Sequence, residues 1–176
     1  MNSVLGNFLG IDPGLSGGIA LISADGIAQA FQMPKTEGDL ARLFEQRIRP
    51  AQVSYCLLER VHAFPDSGVS GMFRFGRNTG LLIGLLLAHK IPFEEMEPRT
   101  WQKALGIPPR MKKPRKPKPM IKYRPEETKT EFKNRLKAKA QALFPGIDIT
   151  LATADALLIA EVARRIRVGY QGRKTV

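Results

Sequence analysis

Cysteine is almost absent from this 176-residue sequence, and the lone Cys56, inside an apolar run, excludes an intramolecular disulfide and fits a reducing compartment. Histidine is nearly as scarce. His62 and His89 stand far apart with no paired nucleophile motif, so neither heads an acid–base constellation, although His62 lies three residues from Glu59. Long apolar runs are also missing. The most apolar stretch, residues 81–88, falls far short of the roughly 20 residues that span a bilayer. Residues 1–8 lack the basic start and apolar core of a secretory leader. Together these absences predict a cytoplasmic protein with no membrane partner. Acids are outnumbered too: 16 Asp and Glu face 28 Lys and Arg, for a net charge of +12. Such an excess points to a polyanionic partner, with a merely solvated basic surface as the alternative.

What is present begins with the location of that charge. Arg110, Lys112, Lys113, Arg115, Lys116, Lys118, Lys122 and Arg124 follow one another without an intervening acid. Pro108, Pro109, Pro114, Pro117, Pro119 and Pro125 are spread among them. Proline at that density excludes helix and central strand, so residues 107–125 are expected to be a mobile basic loop inserted in a domain. The length suits a single domain over residues 1–168, with a flexible tail at 169–176.

The remaining pattern is α/β. Strands are expected at residues 7–11, 19–23 and 27–33, with Asp25-Gly26 as a hairpin turn between the last two. An amphipathic helix over 36–49 carries Leu40, Leu43, Phe44 and Ile48 on one stripe and stops at Pro50. A buried-type strand at 53–59, a helix at 70–90, a short strand at 91–96 and a helix at 98–105 follow. Beyond the basic segment, Thr128 and Glu131 form a capping box for a helix to 144, and a last helix spans 150–168. An antiparallel meander followed by βα units is a mixed five-stranded sheet, three antiparallel strands and then two parallel, flanked by helices. That order is the RNase H-like one.

Three carboxylates sit where a carboxylate is costly. Asp12 ends the apolar run Phe8-Leu9-Gly10-Ile11, and Glu59 ends Tyr55-Cys56-Leu57-Leu58. Asp155 shares a helical stripe with Leu158, Ile159, Val162 and Ile166, which makes its face the buried one. An unpaired buried carboxylate costs several kcal/mol, and no Lys or Arg shares the Asp155 stripe. A divalent metal held by all three is the economical answer, since hard cations such as Mg2+ prefer oxygen and can position a water nucleophile. The bland alternatives are a turn-forming Asp12, a surface Glu59 and a helix-dipole role for Asp155.

Several motifs along the chain then resemble one family. Gly10-Ile11-Asp12-Pro13-Gly14, Leu58-Glu59-Arg60-Val61 and the helix from Thr153 to Ala160 are similar to the acidic motifs of RuvC-type Holliday-junction resolvases. The stretch from Gly68 to Gly76 and Leu143-Phe144-Pro145 most resemble the phage-borne members, which would place the protein in a host cytoplasm. The resemblance implies a homodimer that cuts branched DNA symmetrically, leaving 5′-phosphates. It implies two Mg2+ ions, or Mn2+ in their place, held by Asp12, Glu59 and Asp155, and no nucleotide cofactor. The family commonly carries another acid three residues before the last, where this chain has Ala152. Asp148 is the candidate replacement, or else an ordinary acid of the loop entering the helix.

The family also places lysines near the scissile phosphate. Lys133, or Lys129 one turn earlier, is the best-placed catalytic lysine, on a basic helix face with Lys137 that could instead be merely solvated, and Lys103 is a weaker candidate beside Trp101, read as a packing anchor. DNA contacts are expected from these lysines, from Lys112, Lys113, Arg115, Lys116 and Lys118, and from Phe73, Arg74 and Arg77. Aromatics interleaved with arginines suit stacking on unpaired bases, and Phe64 and Phe75 belong to the same group. Gly76, Gly80 and Gly84 recur on one helix face, which fits either close packing on the chain's own sheet or a dimer contact. Rival readings are an inactive junction binder, an RNase H-like nuclease of flaps or RNA–DNA hybrids, and an actin-like ATPase. The last needs two duplicated domains and a second phosphate loop, which 176 residues do not hold.

Overall fold

Alternation along the first strand decides how the layers form. In β1 (Asn7–Asp12), Phe8 points to one face of the sheet and Leu9 and Ile11 to the other, all three fully buried. β2 (Gly18–Ile22) and β3 (Ala28–Gln32) complete an antiparallel meander, Asp12 pairing with Gly18 and Ile22 with Ala28. β4 (Val53–Glu59) and β5 (Phe93–Met96) lie parallel to β1, so the sheet order is β3-β2-β1-β4-β5. The computed structural model describes residues 6–62, 68–111 and 126–171.

Each face has its own core. One side gathers Leu9, Ile11, Ile19, Cys56 and Leu58 against α1 (Glu37–Leu43) and α2 (Val69–Ala88). The other packs Phe8, Ile22, Tyr55 and Leu57 against α3 (Pro98–Ala104), α4 (Lys129–Leu143) and α5 (Leu151–Gln171). α5 lies hard against the central strand. A Cβ at Gly10 would stand 2.2 Å from the Ala160 nitrogen and 2.3 Å from the Ala156 oxygen, so only glycine fits there.

The single helix expected over 36–49 is two pieces. Thr36 caps α1 by accepting from the Asp39 N–H, but residues Phe44–Ile48 form a π-helical turn closed at Arg49, whose φ is 51°. Pro50 explains the break, because a residue before proline is disfavoured from continuing a right-handed helix. The short parallel strand starts at Phe93 instead of 91: Pro92 has no N–H to give, though its carbonyl accepts from the Cys56 N–H at 2.9 Å. The Thr128–Glu131 capping box forms, and α5 runs three residues past its expected end. Residues 112–125, most of the basic segment, lie outside the described residues, as do Phe64 and residues 172–176. Among the described residues, no helix is long and apolar enough to cross a membrane.

Candidate active site

Adjacent parallel strands bring the first two acids together. Ile11 pairs with Leu58, so Asp12 and Glu59 leave the sheet side by side at the carboxyl ends of β1 and β4. Asp12 is seated by its own turn. Its Oδ1 accepts from the Gly14 N–H at 3.1 Å, and Gly17 packs so closely that a Cβ there would be 2.4 Å from the Asp12 carbonyl oxygen. Asn78 of α2 donates to the Pro13 carbonyl at 2.8 Å, tying that helix to the same turn.

Asp155 arrives from α5, and only 5% of it is exposed. Lys133, two-fifths exposed on α4, makes an ion pair with Asp155 Oδ2. Asp155 Oδ1 is buried and has no hydrogen-bond partner among the described residues. From α3 the buried Trp101 donates its indole N–H to Glu59 Oε2 at 2.8 Å. Asp12, Glu59, Asp155 and Lys133 act on one another electrostatically, so four elements converge on one spot and α3 supplies a fifth contact.

The electrostatics of that spot are unfavourable for the acids alone. Burial, then the negative charges of Asp12 and Asp155, push the Glu59 carboxyl up to about 8, against the Trp101 hydrogen bond and the Lys133 charge. Burial also raises Asp155 above the usual carboxylate range, despite the attraction of Lys133. Burial works to lower Lys133, yet the pull of Asp155, Asp12 and Glu59 outweighs it and the ammonium is held above its ordinary value. Among the described residues, no three His, Cys, Asp or Glu side chains already stand in a metal-holding arrangement.

The other sequence candidates lie around this centre. Asp148 is exposed in the loop before α5, and Ala152 presses its backbone toward Gly18. Phe73 is 70% exposed and Arg74 is exposed near the start of α2, whereas Phe75 is half-buried. Arg77 is exposed but paired with Glu37 of α1. On α4, Lys129 is exposed and Lys137 half-buried, one turn to either side of Lys133. Lys103 is exposed and lines an open cleft with Arg99, Ile107, Pro108 and Arg110. Lys112, Lys113, Arg115, Lys116 and Lys118 lie outside the described residues. His62 pairs with Glu97, and His89 stacks on Phe44.

The glycine stripe does not pack on the chain's own sheet. A Cβ on Gly76, Gly80 or Gly84 would meet nothing within 4 Å, and Leu82 and Leu86 are the α2 residues turned fully inward.

Two contacts had no clear signal in the sequence. One is the Trp101–Glu59 bond, which joins residues 42 apart. The other closes the base of the basic segment. Arg135 of α4 forks onto Glu127 at 2.9 Å through two nitrogens and donates to the Pro108 carbonyl at 3.0 Å. The Glu127 N–H donates to the Met111 carbonyl at 3.1 Å, so the chain leaves and re-enters at one point.

No family model and no curated protein sequence matches the chain. Solved structures do. RuvC of T. thermophilus in complex with a Holliday junction substrate matches with a TM-score of 0.60 at 16% identity, over 93% of this chain and 96% of that one. Another Thermus thermophilus RuvC structure matches with a TM-score of 0.58 at 18% identity, over 92% and 95% of the respective chains. The mixed sheet, the flanking helices and this end-to-end superposition give the chain a distant RuvC-like version of the RNase H-like fold.

Proposed function

We propose that the chain is a metal-dependent endonuclease that resolves Holliday junctions, or closely related branched DNA, by symmetric phosphodiester hydrolysis. The observation that carries this reading is the meeting of Asp12, Glu59 and Asp155, from three separate elements, with Asp155 Oδ1 buried and unpartnered. A buried acceptor with no donor, among neighbours of its own sign, is a place for a cation. The donor set is oxygen only, which suits Mg2+ or Mn2+. Asp12, Glu59 and Asp155 would hold the metal, with Asp148 as a further ligand only if its loop turns inward. When bound, two such ions supply an activated water and neutralise charge on the leaving phosphate oxygen.

The chain's own groups do the rest. Lys133 holds Asp155 until substrate arrives, and its ammonium then meets the negative charge growing on the scissile phosphate. Lys129 and Lys137 extend the basic face. The cations Arg99, Lys103 and Arg110 of the cleft, continued in sequence by Lys112, Lys113, Arg115, Lys116 and Lys118, track a DNA arm through its phosphates without reading bases. Phe73 and Arg74 meet unpaired bases at the junction centre, and Arg77 joins them on leaving Glu37.

Two copies would act together, in the cytoplasm and without a nucleotide cofactor. Val69, Gly76, Gly80, Gly84 and Leu87 form one exposed stripe at helical spacing along α2, and its glycines permit close approach of a second helix.

The test is cleavage of a labelled four-way DNA junction in Mg2+, beside linear duplex, a flap and an RNA–DNA hybrid, with Asp155→Asn as control. Paired symmetric nicks lost in the variant are expected. Binding without cutting, in Mg2+ and in Mn2+, would leave a junction-binding protein; cutting of the flap or hybrid instead would keep the chemistry and discard the substrate.

A further inference from the structure

Trp101 is the only tryptophan of the chain, and its position raises a question that packing alone does not answer. α3 is a seven-residue helix whose one buried residue is Trp101. An apolar plug at 1% exposure needs only a bulky nonpolar side chain, and phenylalanine or leucine supplies one. An indole brings an N–H that must find an acceptor once buried. The acceptor it finds is not a neighbouring backbone carbonyl but Oε2 of Glu59, at 2.8 Å.

The frame around this bond is braced independently of it. The Arg60 N–H donates to the Met96 carbonyl at 2.9 Å, joining the exit of β4 to the exit of β5. Glu97, the residue before α3, is bonded by His62 Nε2 at 3.0 Å and reached by Arg60 at 3.7 Å. Its carbonyl accepts from the Thr100 N–H at 2.9 Å, starting the helix that carries Trp101. Arg60 and His62, which follow Glu59 directly, are thus tied to the start of α3. The indole is a fixed point, and the glutamate, with three rotatable side-chain bonds, is the partner that gains an orientation. With Oε2 claimed, Oε1 is the oxygen left for another partner.

We infer that Trp101 is a positioning residue: its indole N–H locks the Glu59 carboxylate in the rotamer that presents one oxygen to a divalent cation shared with Asp12 and Asp155. The inference rests on the metal reading above and assigns a role that the residue's packing does not require. A hydrogen bond that orients a metal ligand without touching the metal is worth about 10- to 100-fold in metal affinity.

The test separates the N–H from the ring. In the full chain, Trp101 is replaced by 3-benzothienylalanine, in which sulfur stands for the indole N–H in a ring of the same shape, and Trp101→Phe is made alongside. Mn2+ binding is measured without DNA by the paramagnetic signal of the free ion, and the melting temperature is recorded for each protein. The expected result is Mn2+ binding by wild type that weakens about tenfold in the sulfur variant, whose melting temperature stays unchanged. Junction cleavage by that variant then needs more Mg2+ and returns to the wild-type rate at saturation, which a merely structural role would not produce. Equal Mn2+ affinity in wild type and sulfur variant overturns the inference and leaves the metal reading intact. No Mn2+ binding by wild type overturns both. Should the sulfur variant not fold, wild-type fluorescence decides: Trp101 emission shifts as Mg2+ binds if the indole holds a metal ligand, and stays constant through saturation if it does not.

Discussion

Two buried carboxylates on the same helix have opposite surroundings. Glu161 is 3% exposed and Asp155 is 5% exposed, six residues apart on α5. Glu161 is fully met: Arg164 forks onto it at 2.8 and 3.0 Å, and Arg165 adds a third bond at 2.7 Å. Burial works to raise its pKa, but the two arginines prevail and hold it below the usual range. Asp155 has one lysine, one orphaned oxygen and two acidic neighbours, and burial prevails. An acid whose charge is matched on its own helix is structural. An acid left short of partners, beside others equally short, is held ready for something the fold itself does not contain.

The contrast breaks most sharply by neutralising each acid in turn. Asp155→Asn should cut junction cleavage by roughly 1,000-fold or more while the protein stays folded. Glu161→Gln should leave cleavage within about twofold but lower the melting temperature by roughly 3–6 °C, because it leaves two arginines without their partner. Equal loss of activity in both would erase the distinction. Next in size is Lys133→Ala, expected to reduce turnover by roughly 100-fold at saturating junction, read in a single-turnover cleavage assay. An unchanged rate would make the lysine only a partner for Asp155.

The raised Glu59 pKa gives a pH test of the same contrast. The folded protein binds the Glu59 proton more tightly than the unfolded chain, whose value is 4.5, so the group's contribution to stability is complete below that value and lost as pH rises through about 8. Melting temperature in EDTA should therefore fall from pH 5 to pH 9, and Glu59→Gln should flatten the profile and melt about 5 °C higher at pH 9. Parallel curves for the two proteins would contradict this. The smallest effect is expected at the cap of the helix carrying Lys133: Thr128→Ala removes a capping box and should cost about 1 kcal/mol in chemical denaturation, with little change in cleavage.

Much of this was legible in the residues because it is local or periodic. Glu161 finds its arginines at i+3 and i+4, a spacing that helical geometry makes adjacent, whereas Asp155 has no basic residue on its stripe. Strand boundaries at Val53–Glu59 and the Thr128 cap followed from apolar runs and capping chemistry alone. The π-turn at Phe44–Ile48 was missed because apolar spacing over 40–48 fits either helix, while the signal that broke it, Pro50, reads as a stop and not as a change of pitch.

What the sequence by itself determined is the set of elements and the unusual cost of placing Asp12, Glu59 and Asp155 where they stand, since period and polarity depend on near neighbours. Tertiary structure alone decided which groups meet those acids. Lys133 reaches Asp155 across 22 residues and Trp101 reaches Glu59 across 42, through the packing of α4 and α3 on one face of the sheet. It also decided that the Gly76, Gly80 and Gly84 face of α2 looks outward. A glycine stripe signals only that close approach is permitted; which surface approaches depends on how the helix is rotated on its sheet, and the burial of Leu82 and Leu86 sets that rotation.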